Sequence, residues 1–228
     1  ILYVAGGTES STNSLPGNHA GTLGPTSSGG VDGFVAMISG TTLVRSAFFG
    51  TTSYDQIYGI KFDRKGFPYI VGQTKGTWPH VNATYFDNGA KQFIAKLQPD
   101  LSAYVYSTVF GKPASDPSIS PTAFLVDRCE NVYVSGWGGG FGDLSSWGYP
   151  NSNTMGLPVT PDAIKSVSDG RDFYFFVLKK DATSQIYGSF FGEGNTPPSS
   201  LGCDHVDGGT SRFDENGVIY QAICGNCK

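Results

Sequence analysis

Charge is scarce in this chain. Only 15% of its 228 residues are Asp, Glu, Lys or Arg, and the formal net charge is -4. That balance excludes a nucleic-acid partner, which needs a basic stripe to neutralise phosphates. Histidine and cysteine are scarce too, at three and four residues. No apolar run approaches the roughly 20 residues of a membrane-spanning helix, so no membrane insertion is expected. Helical periodicity is missing as well. Without long segments of 3.6-residue spacing, a helical bundle is excluded.

What is abundant points to strands. The chain has 32 Gly, 13 Pro, 16 Phe, 12 Tyr and 3 Trp, a composition suited to short strands and tight turns. Its length allows one large domain or two small ones, with a sizeable core. It opens inside a strand-like run, "ILYVAGGT", carries no recognisable signal peptide, and stops at "CGNCK". The expectation is a piece of a longer polypeptide.

The strand-like runs repeat. Four segments share a central Tyr: "LYVAGGT", "PYIVGQT", "VYVSGWG" and "IYQAICG", at Tyr3, Tyr69, Tyr133 and Tyr220. A second run recurs as "DGFVAMI", "KQFIAKL" and "DFYFFVLKK", and a third as "VRSAFFG", "VYSTVFG" and "IYGSFFG". A fourth, "IKFDRKG", "FLVDRCEN" or "SRFDENG", precedes the Tyr run. In chain order within a unit these are strands A ("KFD"), B ("YIVG"), C ("FIAKL") and D ("YSTVFG"). Asp63, Asp127 and Asp214 each lie six residues before the Tyr of strand B, which predicts a tight A–B hairpin closed by an Asp-start turn. Around "DENG" this hairpin is expected to set Phe213 opposite Val218. The B–C connection varies instead: Tyr3 to Phe34, Tyr69 to Phe93 and Tyr133 to Tyr174 span 31, 24 and 41 residues.

Four strands per unit with variable connections fit a β-propeller-like repeat of four-stranded antiparallel blades. A parallel β-helix and a pair of immunoglobulin-like sandwiches are the alternatives. Residues 1–228 read as one partial propeller of about three blades. Its units run approximately over 1–54 (strands B to D), 55–115, 116–200 and 201–228 (strands A and B). An arc of this kind is completed by further blades of the same polypeptide or by a partner.

The segments "VDRCENVYVSGWGG", "GLPVTPDAIKSVSDGRDFYFFVLKK" and "DHVDGGTSRFDENGVIYQAICGNC" resemble the SBBP-type beta-propeller repeat family. The likeness is strongest to its version in large secreted proteins of Bacteroidota that carry a gliding-motility, type IX secretion sorting domain. It includes Leu15-Pro16, Trp78-Pro79 and Leu157-Pro158 in the B–C connections. The second unit departs from the pattern, with Lys91 where the others have Asp32 and Asp172. The resemblance implies a secreted or cell-surface protein, exported by type IX secretion, that serves adhesion or motility without established chemistry. A surface glycan, a protein, or a subunit of a secretion or gliding machine is then the expected partner.

Candidate site residues divide accordingly. Trp137, Trp147 and Tyr149 fall in the longest B–C connection, where they could stack on sugar rings, fill a protein groove, or form the connection's own small core. His205 and Asp207 are two apart, a spacing that suits a metal pair or an acid–base pair; an Asp at the start of strand A, such as Asp55, more simply bonds turn amides. Cys129, Cys203, Cys224 and Cys227 with His205 hold the inventory of a zinc site. Cys129 belongs to a turn at the opposite end of its hairpin, so the favoured reading is a disulfide from Cys203 to Cys224 or Cys227, with no metal. No cofactor is expected; calcium at Asp63, Asp127 and Asp214 would lack the usual six to eight oxygens. The run "GWGGGFG" lacks the Lys and following helix of a phosphate loop. No catalytic residue is identified, though a polysaccharide-acting propeller enzyme, with carboxylates and His gathered at the axis, is the alternative to a binding module.

Overall fold

The structure is a computed structural model that describes residues 1–12, 14–138, 152–192, 203–205, 211–222 and 224–227, with the backbone alone for 203–205 and 224–227. It is all-β. The first sheet orders β1 (Leu2–Thr8), β2 (Asp32–Ser39) and β3 (Thr42–Phe49). The second orders β4 (Asp55–Phe62), β5 (Pro68–Thr74), β6 (Gln92–Leu97) and β7 (Tyr104–Phe110). The third repeats that pattern with β8 (Ser120–Val126), β9 (Val132–Trp137), β10 (Phe173–Leu178) and β11 (Gln185–Phe191). Two short pairs follow: β13 (Ser211–Phe213) with β14 (Ile219–Gln221), and β12 (Cys203–His205) with β15 (Cys224–Cys227). All neighbours are antiparallel. Strands A to D of the repeat are thus adjacent in the sheet as in the sequence. The pair β12–β15 continues the A–B pairing expected over 201–228 and brings Cys203 to the Cys224–Cys227 end of it.

The A–B turn is built the same way three times. Asp63 Oδ1 accepts the amides of Lys65 (2.9 Å) and Phe67 (3.0 Å). Asp127 Oδ1 accepts those of Cys129 and Asn131, both at 2.8 Å, and Asp214 Oδ1 those of Asn216 (2.8 Å) and Val218 (2.9 Å). Each Asp amide also donates to the residue four positions on, such as Asp214 to the Val218 carbonyl. The turn therefore takes five residues, and Phe213 pairs with Ile219, not with Val218 as the sequence suggested. The fourth turn position is left-handed: Gly66 has φ of 85°, Gly217 of 81° and Glu130 of 67°. These carboxylates hold turn amides. Replacing Asp127 by Ala is expected to lower stability by about 1.5–3 kcal/mol, since charge-assisted hydrogen bonds are lost and two amides lose their acceptor. An unchanged urea midpoint would remove the carboxylate from this account.

The sheets pack face to face. Val35, Met37, Ala47 and Phe49 of the first sheet meet Ile57, Ile70, Phe93, Ala95 and Val109 of the second. The opposite face of the second, with Val71, Ile94 and Phe110, meets Val134, Tyr174, Phe176 and Phe190 of the third. A sheet covered on both faces loses the apolar–polar alternation of a half-exposed one, as the fully buried β5 and β6 show.

The B–C connections fold back on their own sheets. Trp78 stacks on Phe93 with ring centroids 3.6 Å apart, and Leu157 is buried in the core between the second and third sheets. The prolines that follow offer their carbonyls inward. Ser46 Oγ donates to Pro16 O (2.6 Å) and Ser107 Oγ to Pro79 O (2.7 Å). Where the third sheet has Gly188 in place of that Ser, the Tyr174 hydroxyl donates to Pro158 O (2.5 Å).

The start of strand C ties the connection down as well. Asp32 accepts the Ser28 amide (2.7 Å) and Asp172 that of Asp169 (3.3 Å). Lys91 reverses the polarity, donating to the carbonyls of Lys75 (3.2 Å) and Gly76 (2.8 Å). Asp at this station is one of two solutions to a single problem, satisfying the backbone of the returning chain.

Charge is buried between the second and third sheets. Lys96, 7% exposed at its side chain, takes the strand-C position that Met37 and Val177 hold in the other sheets. Its ammonium lies 2.9 Å from Asp63 Oδ2 and 2.8 Å from Glu130 Oε2, over the rings of Phe67 and Tyr69. Lys180 reaches the other oxygen of Glu130 at 3.0 Å. Glu130 comes from the A–B turn of the next unit, so this cluster clamps two sheets.

Candidate interaction surface

The third sheet has one face covered and one face only partly covered. Strand register makes Val35, Ile94 and Phe175 equivalent, and likewise Phe49, Phe110 and Phe191. Phe49 and Phe110 are 2% and 1% exposed, because the next sheet lies over them; Phe191 is 44% exposed. Phe175 is half-buried where Val35 and Ile94 are fully buried. On this face Tyr133, Phe175, Val177, Tyr187 and Phe191 line a groove of about 500 Å³, with Phe213, Gly217 and Ile219 of the β13–β14 hairpin along one side. Tyr133 packs on Phe213 with ring centroids 5.7 Å apart. Apolar atoms dominate the lining, and Ile164 at its margin is exposed.

Of the side chains singled out from the sequence, the described ones, Trp137, Cys129 and Asp55, do not line this groove. Trp137 is half-buried at the end of β9, opposite Ser120 and Phe173, where the long connection leaves the sheet. Trp147 and Tyr149 lie outside the described residues, as does Asp207. The backbone register sets Cys203 opposite Cys227 and His205 opposite Cys224, with an irregularity between the two pairs; these four side chains are outside what is described. No disulfide is seen among the described residues, and Cys129 is a free, exposed thiol. Asp55 accepts the Thr51 amide (2.6 Å) and hydroxyl (2.8 Å), so it bonds a turn. Among the described residues no group of three or more His, Cys, Asp or Glu is placed to hold a metal.

A smaller polar cavity, about 230 Å³, runs along the strand-A positions β4, β8 and β13, where Tyr58, Lys61, Thr122 and Arg212 line it. Its described lining carries cations and hydroxyls. Among the described residues no helix is long and apolar enough to cross a membrane. Neither a protein-family model nor a curated protein matches the chain.

The groove was not identified from the sequence because its residues read as core. In "FYFFVL" and "SFFG" they are the same types that the first two units bury. The available signal was positional: these residues belong to the last unit in which strands C and D are both present.

Proposed function

We propose that the chain is part of a β-propeller of SBBP type, a non-enzymatic module that works outside the cell in adhesion or protein assembly. The observation that carries this reading is the separation of scaffold from connection. Three sheets keep one order of strands B to D, and the second sheet, the third sheet and the β13–β14 hairpin keep one A–B turn chemistry, while the B–C connection changes in length from unit to unit. Variable connections on a rigid frame are how binding surfaces are commonly displayed. The longest connection, which begins after Trp137 and carries Trp147 and Tyr149, is the proposed contact for a surface glycan or protein. Export by type IX secretion and a cell-surface location follow from the resemblance of its motifs to that family.

The test is to replace residues 139–151 with a short Gly-Ser linker, which leaves Leu157 and the sheets intact. Binding to the outer surface of the producing cells should fall at least tenfold while the circular dichroism spectrum is kept. Unchanged binding would overturn the loop-display reading. Release of new reducing ends from polysaccharide would favour the propeller enzyme, and recovery only in a stable membrane complex would favour a machine subunit.

A disulfide belongs to the same proposal. With Cys203 opposite Cys227 in the backbone register, we assign the bridge to that pair. Alkylation before reduction should then modify Cys129 and Cys224, and reduction should release the other two. Four thiols labelled without reductant would dismiss the bridge.

A further inference from the structure

We propose that the groove on the third sheet is a docking face for strands C and D of a fourth unit of the same repeat, supplied by the same polypeptide beyond residue 228. The inference rests on the repeat reading above and adds the occupant. The fourth unit already contributes its strands A and B as β13 and β14, and β13 packs beside β8 as β8 packs beside β4. In the first three units a strand C always follows B, and strand D always pairs with it. In the second and third units, strands C and D cover the matching face of the sheet before. By the spacing of those units, strand C of the fourth would begin after residue 228.

The chemistry of the face identifies which strands fit. On the first sheet, Val35, Met37, Ala47 and Phe49 are covered by Phe93, Ala95 and Val109 from β6 and β7. The equivalent stations on the third sheet are Phe175, Val177, Ser189 and Phe191. Phe191 stands where Phe49 does, apolar Phe175 and Val177 where Val35 and Met37 do, and small Ser189, buried with its hydroxyl accepting the Lys165 amide, where Ala47 does. The second sheet instead presents Ile94, Lys96, Thr108 and Phe110, and its Lys96 needs Glu130 opposite. With no charged station, the open face is of the kind that β6 and β7 already cover.

That match supplies the experiment. A copy of residues 75–111, which carries a B–C connection with β6 and β7, is appended after Lys228. The connection so formed falls within the range of lengths the other units use. Docking should reduce binding of a hydrophobic dye at least threefold, raise the thermal midpoint, and protect the appended segment from protease. Phe191→Asp should abolish all three effects in the extended chain, while leaving the 228-residue chain folded. An appended segment that stays protease-sensitive, with dye binding unchanged, overturns the inference. A doubling of mass of the 228-residue chain that Phe191→Asp abolishes also overturns it, by assigning the face to a second copy. Phe110→Asp in the 228-residue chain reads the underlying repeat packing separately. It should unfold the chain, and if it is tolerated as Phe191→Asp is, the packing of repeated sheets is wrong whatever the groove holds.

Discussion

Replacing Lys96 by Ala is expected to destabilise the chain by about 3–5 kcal/mol, the cost of removing one partner from a buried ion pair. The ammonium sits between Asp63 and Glu130, so its loss leaves two carboxylates facing a vacancy. Burial alone would lower the pKa of Lys96, but hydrogen bonds to Glu130 and Asp63 outweigh it and the pKa is raised. Glu130 is pulled from 4.5 down to about 2, chiefly by its hydrogen bond to Lys96 and then by Lys180. A carboxylate with a depressed folded pKa adds stability that is present above its unfolded value and lost as pH falls through the folded one. The difference between the parent and Lys96→Ala should therefore be full at pH 6 and shrink between about pH 4.5 and 2. Urea midpoints across that range check it, and a difference that does not change with pH would separate the cost from the ion pairs. Lys96→Met combined with Glu130→Gln should recover much of the loss, because Met37 shows that the position accepts an apolar side chain against the next sheet.

Glu130 also shows why this clamp was not legible in the sequence. It stands in the turn position where the other hairpins have Gly66 and Gly217, and it holds the same left-handed backbone. A non-glycine residue there costs of order 1–3 kcal/mol, which the contacts to Lys96 and Lys180 offset. The sequence shows "DRCEN" where another unit has "DRKG", and a lysine inside "FIAKL", and neither points to the other. Their pairing spans 34 positions and crosses from one unit to the next. The strands and the A–B turns were legible because they depend on local spacing: an Asp and its amides within five residues, apolar runs bounded by glycine. The paired carboxylate and ammonium, the reversed polarity at Lys91 and the open face at Phe191 depend on which sheet lies opposite. No local pattern carries that information. Phe110 and Phe191 occupy the same motif, and only the neighbour decides which of them is buried.

Trp78→Ala is the second large effect expected, at about 3–5 kcal/mol, the range for deleting a large buried aromatic. Trp78 is 4% exposed and lies flat on Phe93 at an interplanar angle of 4°. Its indole Nε1 donates to Ser107 Oγ (2.9 Å), and that hydroxyl donates to Pro79 O (2.7 Å). The ring therefore fills space and aligns the hydroxyl that pins the returning connection. For a domain of this size each kcal/mol moves the thermal midpoint by roughly 2–4 °C, so a fall of about 10 °C is expected. Trp78→Leu should cost much less. Leu15 and Leu157 precede the equivalent prolines in the other units, and Leu157 is buried against the sheets there. If Leu and Ala prove equally damaging, the indole hydrogen bond rather than the buried volume holds the connection, and Ser107→Ala should then reproduce the loss. If Ala costs far more than Leu while Ser107→Ala is mild, the apolar plug is the common device that seats all three B–C connections.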